Sequence, residues 1–192
     1  IKLINEINKL KIKNLHILVV DDNSPDGTGK VVKDIGKKIK NIHLLMRSGE
    51  RGRGIAGADG FRKAVKIGAD VVCEMDADFS HDPKYIPELI ACLDNGADLA
   101  IGSRFIEGGS DIDRRLYRQV VTKCAGHYVR FLLKLSIKDV SSGYRAFKRH
   151  VLEAVELDQL ISTGPSIVLE ILHKAARKNF VIKEMPIQFV DR

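Results

Sequence analysis

Asp70-Val71-Val72-Cys73-Glu74-Met75-Asp76-Ala77-Asp78 is an apolar, β-branched run with no breaker until it meets two carboxylates. That composition predicts a buried strand ending at an acidic pair. Ligands of open α/β sheets bind beyond the carboxyl ends of the strands. Residues i and i+2 of an extended segment point the same way, so Asp76 and Asp78 can address one ligand together. Two close carboxylates repel unless a cation or proton lies between them. A hard divalent ion, Mg²⁺ or Mn²⁺, would satisfy both and hold phosphate oxygens in turn. A solvated acidic turn capping the next helix accounts for the same two residues.

Outward from this point, strands and helices alternate. Residues 1–10 read as a helix and Leu15 to Val20 as a buried strand. That strand runs into Asp21-Asp22-Asn23-Ser24-Pro25-Asp26-Gly27-Thr28, all turn chemistry. Thr28 is a fair N-cap for a helix to about Lys40. Ile42 to Met46 reads as a strand, followed by the basic, glycine-rich Arg47-Ser48-Gly49-Glu50-Arg51-Gly52-Arg53-Gly54. Its glycines allow close backbone approach and its arginines favour phosphate. A helix from about Ile55 to Ile67 stops at Gly68. Pro83 opens another, to about Leu93. Asp98 to Ser103 is a further strand, ending at Arg104. The alternation predicts a Rossmann-like α/β layer fold, its central sheet mostly parallel with helices on both faces. Asp21/Asp22, Asp76/Asp78 and Arg104 then share one sheet edge.

The second half is less regular. Glu107 to Asp113 reads as a polar loop. Residues 114–135 read as one long amphipathic helix, with Tyr117, Val121, Cys124, Tyr128, Phe131 and Leu132 on an apolar stripe. Arg114, Arg115, Arg118, Lys123, Arg130 and Lys134 lie on the other face. Such a helix suits a membrane surface, but the pattern alone favours packing on the core with a solvated basic face. Asp139-Val140-Ser141-Ser142-Gly143-Tyr144-Arg145-Ala146-Phe147-Lys148 reads as a hydroxyl-rich connection, Arg149 to Glu156 as a short helix, and Gly164-Pro165-Ser166 opens a helix to Lys178. Val181 to Val190 reads as a closing strand, at an edge or broken at Pro186.

The bulk numbers set bounds. At 192 residues the chain is one domain with room for a real core. The net charge of +7 favours an anionic partner: phosphates, nucleic acid or an anionic membrane. A nucleic-acid role is the weakest, because the basic residues cluster on one helix and one loop beside acidic strand ends, with few aromatics for stacking. No run approaches a membrane-spanning length, and no secretory leader is evident. Three separated cysteines without metal spacing predict buried thiols in a reducing compartment. The chain opens at Ile1 inside an amphipathic pattern and ends directly after a strand, which reads as a domain truncated at both ends.

Taken together, Val19-Val20-Asp21-Asp22-Asn23-Ser24-Pro25-Asp26-Gly27-Thr28, Asp76-Ala77-Asp78, Gly102-Ser103-Arg104 and Ser142-Gly143-Tyr144-Arg145 resemble the inverting GT-A glycosyltransferases. Within these the chain is most similar to dolichol-phosphate (polyprenol-phosphate) mannosyltransferases, notably over Met75 to Pro83 and Pro186 to Arg192. The resemblance covers nearly the whole chain and implies a GT-A fold. It implies transfer of mannose from GDP-mannose to a polyprenyl or dolichyl phosphate with inversion, giving a β-mannosyl phospholipid. Asp21 and Asp22 would contact the nucleotide, with Arg53 and Asp76 at its phosphates. Asp76 and Asp78 would hold Mg²⁺ or Mn²⁺. Arg104, Arg118, Thr122 and Arg145 would bind the acceptor phosphate. A lipid substrate favours the interfacial reading of helix 114–135 and peripheral placement at the cytoplasmic face of a membrane, and leaves room for a membrane-anchoring partner subunit.

Departures from the family pattern are also legible. Its first strand would lie upstream of Ile1, Ser80 stands where some members have a metal-ligating Gln, and Val168 stands where a further Gln is expected, two residues before Glu170. Two other readings stay open: the same fold with another donor sugar, glucose or N-acetylhexosamine, or another acceptor; and a non-catalytic sugar-nucleotide-binding subunit.

Overall fold

The structure, a computed structural model, describes residues 1–112 and 116–191, without the side chains of 116, 118 and 119. The first half alternates as the sequence predicts: α1 (Lys2–Lys9), β1 (Ile17–Asp21), α2 (Thr28–Gly36), β2 (Ile42–Met46), α3 (Arg53–Lys66), β3 (Val71–Glu74), α4 (Ile86–Asp94) and β4 (Leu99–Ser103). Asp82 caps the 3₁₀ turn that leads into α4 by accepting from the Lys84 amide at 2.9 Å. β5 (Ser110–Ile112) and the long α5 (Leu116–Leu133) follow. Then come β6 (Arg145–Lys148), α6 (Arg149–Ala154), α7 (Ile167–Arg177), β7 (Ile182–Pro186) and β8 (Gln188–Val190). Pro186 ends β7, which lies at the sheet edge, so the predicted closing strand is two strands divided at Ile187.

The sheet differs from the expectation in two respects. It falls into pieces: a parallel β1–β2 pair, a four-stranded sheet β3-β6-β4-β7, and a parallel β5–β8 pair. Within the four-stranded sheet β6 is antiparallel to both β3 and β4. The chain leaves β4 at its carboxyl end, runs through α5 and returns to that same end, where the Gly102 amide donates to the Tyr144 carbonyl at 2.9 Å. A strand begun there can only run backwards. Ser142 to Tyr144 therefore lie beside the carboxyl ends of β3 and β4.

The core sits on both faces of this sheet, and the period-2 geometry of β4 shows how. Leu99 and Ile101 face α3, α6 and α7 with Ala58, Phe61, Phe147, Val151 and Leu172. Ala100 faces α1 and α4 with Ile4, Ile7, Leu89 and Leu93. The loop of 161–166 presses so closely on the start of α3 that a Cβ on Gly54 would lie 2.5 Å from the Gly164 carbonyl oxygen. Cys73 and Cys92 are half-buried, whereas Cys124 is exposed on α5, contrary to the expectation of three buried thiols.

Candidate active site

The carboxyl ends of β3 and β4 open into a cleft of about 270 Å³, lined among others by Arg53, Asp76, His81, Arg104, Thr122 and Gly143. Asp76 stands two residues beyond β3. Its Oδ1 accepts from Nη2 of Arg53 at 2.7 Å. Its amide donates to Nδ1 of His81 at 3.0 Å, so the neutral ring carries its proton on Nε2. His81 is buried between the Tyr144 ring, stacked at 4.8 Å, and the Phe189 ring at 5.4 Å. Burial and the charges of Arg53 and Arg104 push its pKa down to about 4, against the pull of Asp76 and Asp78.

Asp78 turns one oxygen inward. Oδ1 accepts from the amide and the hydroxyl of Ser80, at 2.9 and 2.6 Å. These bonds outweigh burial and hold its carboxyl below the usual range. Ser80 is thereby committed to Asp78. Among the described residues no group of three His, Cys, Asp or Glu side chains could enclose a metal ion. Two carboxylates are nevertheless the usual protein share of a site completed by substrate phosphates and water, and His81 feels the charge of both.

At the end of β1, Asp21 is buried and its Oδ2 accepts from the Ser24 amide at 3.2 Å. Asp22 accepts from Arg47 and, at 3.1 Å, from the Gly52 amide. Gly52 precedes Arg53, so the two acidic strand ends are joined through the glycine-rich loop. Arg47 also reaches Asp59 at 2.6 Å, tying that loop to α3.

On the opposite wall, Arg104 is gripped by Asp139, Nε to Oδ2 and Nη2 to Oδ1, both at 2.8 Å. Asp139 is fully buried, and its own amide donates to Glu184 at 2.9 Å. Burial opposes the charge on both partners, yet their hydrogen bonds win, lowering the Asp139 carboxyl and raising the Arg104 guanidinium. A bidentate fork of this kind fixes Arg104 as a rigid cation at the cleft.

Residues 1–156 match the profile of glycosyl transferase family 2. The chain belongs to glycosyl transferase family 2. It is 40% identical over 179 residues to a polyprenol monophosphomannose synthase of Mycolicibacterium smegmatis, covering 93% of this chain and 68% of that one. To an undecaprenyl-phosphate mannosyltransferase of Micrococcus luteus it is 38% identical, covering 92% and 72%. To a dolichol-phosphate mannosyltransferase of Pyrococcus furiosus it is 38% identical, covering 95% of this chain but 50% of that one. A crystal structure of glucosyl-3-phosphoglycerate synthase from Mycobacterium tuberculosis, in complex with Mn²⁺, UDP and phosphoglyceric acid, superposes with a TM-score of 0.69 at 17% identity. That likeness covers 97% of this chain and 63% of the neighbour, and shows that the fold is the GT-A one. This family 2 chain thus spans about two thirds of the length of its first relatives.

Measured against the sequence-based site, Arg53, Asp76, Arg104 and Thr122 come together in the cleft, with Asp78 beside them. Asp21 and Asp22 flank it through the Gly52 loop. Arg114, Arg115 and the Arg118 side chain lie outside the described residues. Arg145 is placed differently. Its guanidinium is 1% exposed and donates to three main-chain carbonyls: Nε to Ser142 at 2.7 Å, Nη2 to Val140 at 2.9 Å and Nη1 to Val168 at 2.5 Å. Burial pushes its pKa down to about 10, against the charge of Glu74 across the ladder. The strand that carries it, Arg145–Lys148, is not legible in the sequence because four residues with one aromatic give almost no strand signal.

Sequence reasoning also missed Glu74, Asp139 and Glu184, whose roles arise from contacts distant in sequence. His81 was within the quoted motif; its spacing from Asp76 was the available signal.

Proposed function

We propose that this chain transfers mannose from GDP-mannose to the phosphate of a polyprenyl or dolichyl phosphate, with inversion at the anomeric carbon. One observation carries the reading: a single cleft joins an acid of the Asp76/Asp78 pair to two arginines, one held rigid by a buried carboxylate, at the strand ends of a family 2 fold. That is the charge pattern needed to bring two phosphate groups together. The names of the relatives support mannose and a polyprenyl phosphate in particular.

The residues divide the work as follows. Asp21 and Asp22 hold the nucleoside end of the donor, and Arg53 its diphosphate. Asp76 and Asp78 would hold Mg²⁺ or Mn²⁺, which when bound neutralises the departing diphosphate as a Lewis acid. Arg104 receives the acceptor phosphate, with Thr122 and Arg118 on α5. An acceptor phosphate oxygen is already ionised at neutral pH, so the attack needs no strong general base. A bond forms from that oxygen to the anomeric carbon while the bond to the diphosphate breaks, and the nucleoside diphosphate leaves with the electron pair. Arg104 offsets the repulsion between the two anions without reorganising, because Asp139 already fixes it. We assign Arg145 to supporting the cleft, through the carbonyls of Val140 and Ser142, in place of a phosphate contact.

A lipid acceptor requires access to a bilayer, and α5 supports it. Tyr117, Val121, Tyr128, Phe131 and Leu132 are exposed on one side, Phe131 to 81%, while Val129 and Leu133 face the core. We place this helix on a membrane surface with the protein peripheral, at the cytoplasmic face; among the described residues no helix is long and apolar enough to cross a membrane.

The test is transfer of labelled mannose from GDP-mannose to polyprenyl phosphate with Mn²⁺, with Mg²⁺ and with EDTA. Metal-dependent formation of mannosyl phospholipid is expected. Asp78→Ala should reduce it by about a thousandfold or more while unfolding in urea stays within about 1 kcal/mol of the parent. Full activity of Asp78→Ala would remove the metal reading.

A further inference from the structure

The side chain closest to Asp76 in the cleft is a cation, and its position bears on how a metal would enter. Nη2 of Arg53 occupies Oδ1 of Asp76 at 2.7 Å. The guanidinium lies directly over residue 143: a Cβ there would overlap Nη2, so the absence of a side chain at Gly143 gives it its berth. Around it are the carboxylates of Glu74 and Asp76 and the buried charge of Arg145. Arg53 is the first residue of α3 and 44% exposed, so its side chain can leave this berth without disturbing the core.

We propose that Arg53 is the resident counter-ion of Asp76, which a divalent cation must displace, and that the released guanidinium then takes an oxygen of the donor diphosphate. The proposal rests on the metal reading given above and adds an order to it. A guanidinium 2.7 Å from Oδ1 and a divalent ion on the same carboxylate repel each other at that distance. Metal alone therefore binds against the cost of expelling Arg53 into the cleft with no new partner. Metal arriving with a nucleoside diphosphate gives Arg53 that partner, so each favours the other. Arg53 is in this sense a positioning and gating residue for the metal, and the acid pair keeps its geometry when no metal is bound.

The experiment is titration of the chain with Mn²⁺, without nucleotide, reading free Mn²⁺ by its paramagnetic resonance signal. The variants are Arg53→Ala, Gly143→Ala and Asp76→Asn. Gly143→Ala retains every charge and crowds the guanidinium out of its berth. Arg53→Ala is expected to bind Mn²⁺ about tenfold more tightly than the parent. Gly143→Ala should move the same way and Asp76→Asn should lose binding. Adding GDP should tighten Mn²⁺ binding more in the parent than in Arg53→Ala. If Asp76→Asn loses Mn²⁺ while Arg53→Ala binds it no better than the parent, the acid pair is the metal site and the counter-ion proposal is overturned. If Asp76→Asn binds as the parent does, or none of the proteins binds Mn²⁺ even with GDP present, the metal reading itself falls and the proposal falls with it.

Discussion

Arg145 and Glu74 face each other across the β3–β6 ladder and behave as a buried pair with unequal obligations. Arg145 commits its fork to three carbonyls from one loop and α7, a geometry that an ammonium cannot reproduce. Arg145→Lys should cost about 2–4 kcal/mol in urea unfolding, while the KM for polyprenyl phosphate in the folded variant stays within about twofold. A large rise in that KM at unchanged stability would restore Arg145 to the acceptor site. Glu74 has its pKa pushed from 4.5 up to about 7, by burial first and by Asp76 as well, against Arg145 and Arg53. A raised carboxyl pKa means that the folded chain holds this proton where the unfolded chain has lost it. The associated stability is complete below about pH 4.5 and is lost as pH rises to about 7. Glu74→Gln should therefore be more stable than the parent at pH 8, by about 2 kcal/mol, and nearly equal to it at pH 4.5. Chemical denaturation at the two pH values measures the difference, and a gap that is the same at both would contradict it.

At the scale of elements, α5 is where pattern and structure part most instructively. Its apolar stripe fits the core or a bilayer, because periodicity says which residues share a face and not what covers it, and the pattern alone favours the core. The structure turns Tyr117, Val121, Tyr128, Phe131 and Leu132 outward. If they meet lipid, Phe131→Glu with Leu132→Glu should weaken binding to liposomes more than about tenfold and leave the melting temperature unchanged. Equal sedimentation with liposomes would show that another surface docks. Elsewhere legibility followed the length and strength of the local signal. β1, β2, β3 and β4 were visible as apolar runs ended by turn or acidic residues, and the acidic ends carried Asp21, Asp22 and Asp76 with them. β5 and β6 were not, since three or four residues such as Ser110-Asp111-Ile112 or Arg145-Ala146-Phe147-Lys148 are held by their neighbours in the sheet rather than by their own pattern. The same limit explains the site. Arg104 could be expected at a strand end, but its partner Asp139 lies 35 residues away and only the return of the chain beside β4 brings the two together.

For the molecule as a whole, charge and exposed apolar surface meet on one helix, α5. The chain carries +7 in total, and α5 contributes Lys123 and Arg130, with Lys134 directly after its last turn. Lys123 also stands 5.7 Å from the centre of the Phe105 ring, next in sequence to Arg104 of the cleft, so the basic helix and Arg104 are neighbours. A lipid phosphate approaching Arg104 would thus arrive along a cationic surface, and an anionic membrane would draw the same surface down. Two contributions to membrane binding follow, and salt separates them. Raising ionic strength from about 0.1 to about 1 M shortens the screening length from about 10 to about 3 Å. Binding to anionic vesicles should weaken several-fold across that range and binding to neutral vesicles should hardly change. The loss caused by Phe131→Glu with Leu132→Glu should persist at high salt, because apolar burial is not screened. Vesicle flotation at the two salt concentrations reads all of this at once. Binding to anionic vesicles that ignores salt would mean that the basic residues of α5 face away from the membrane, and the approach of the acceptor to Arg104 would need another route.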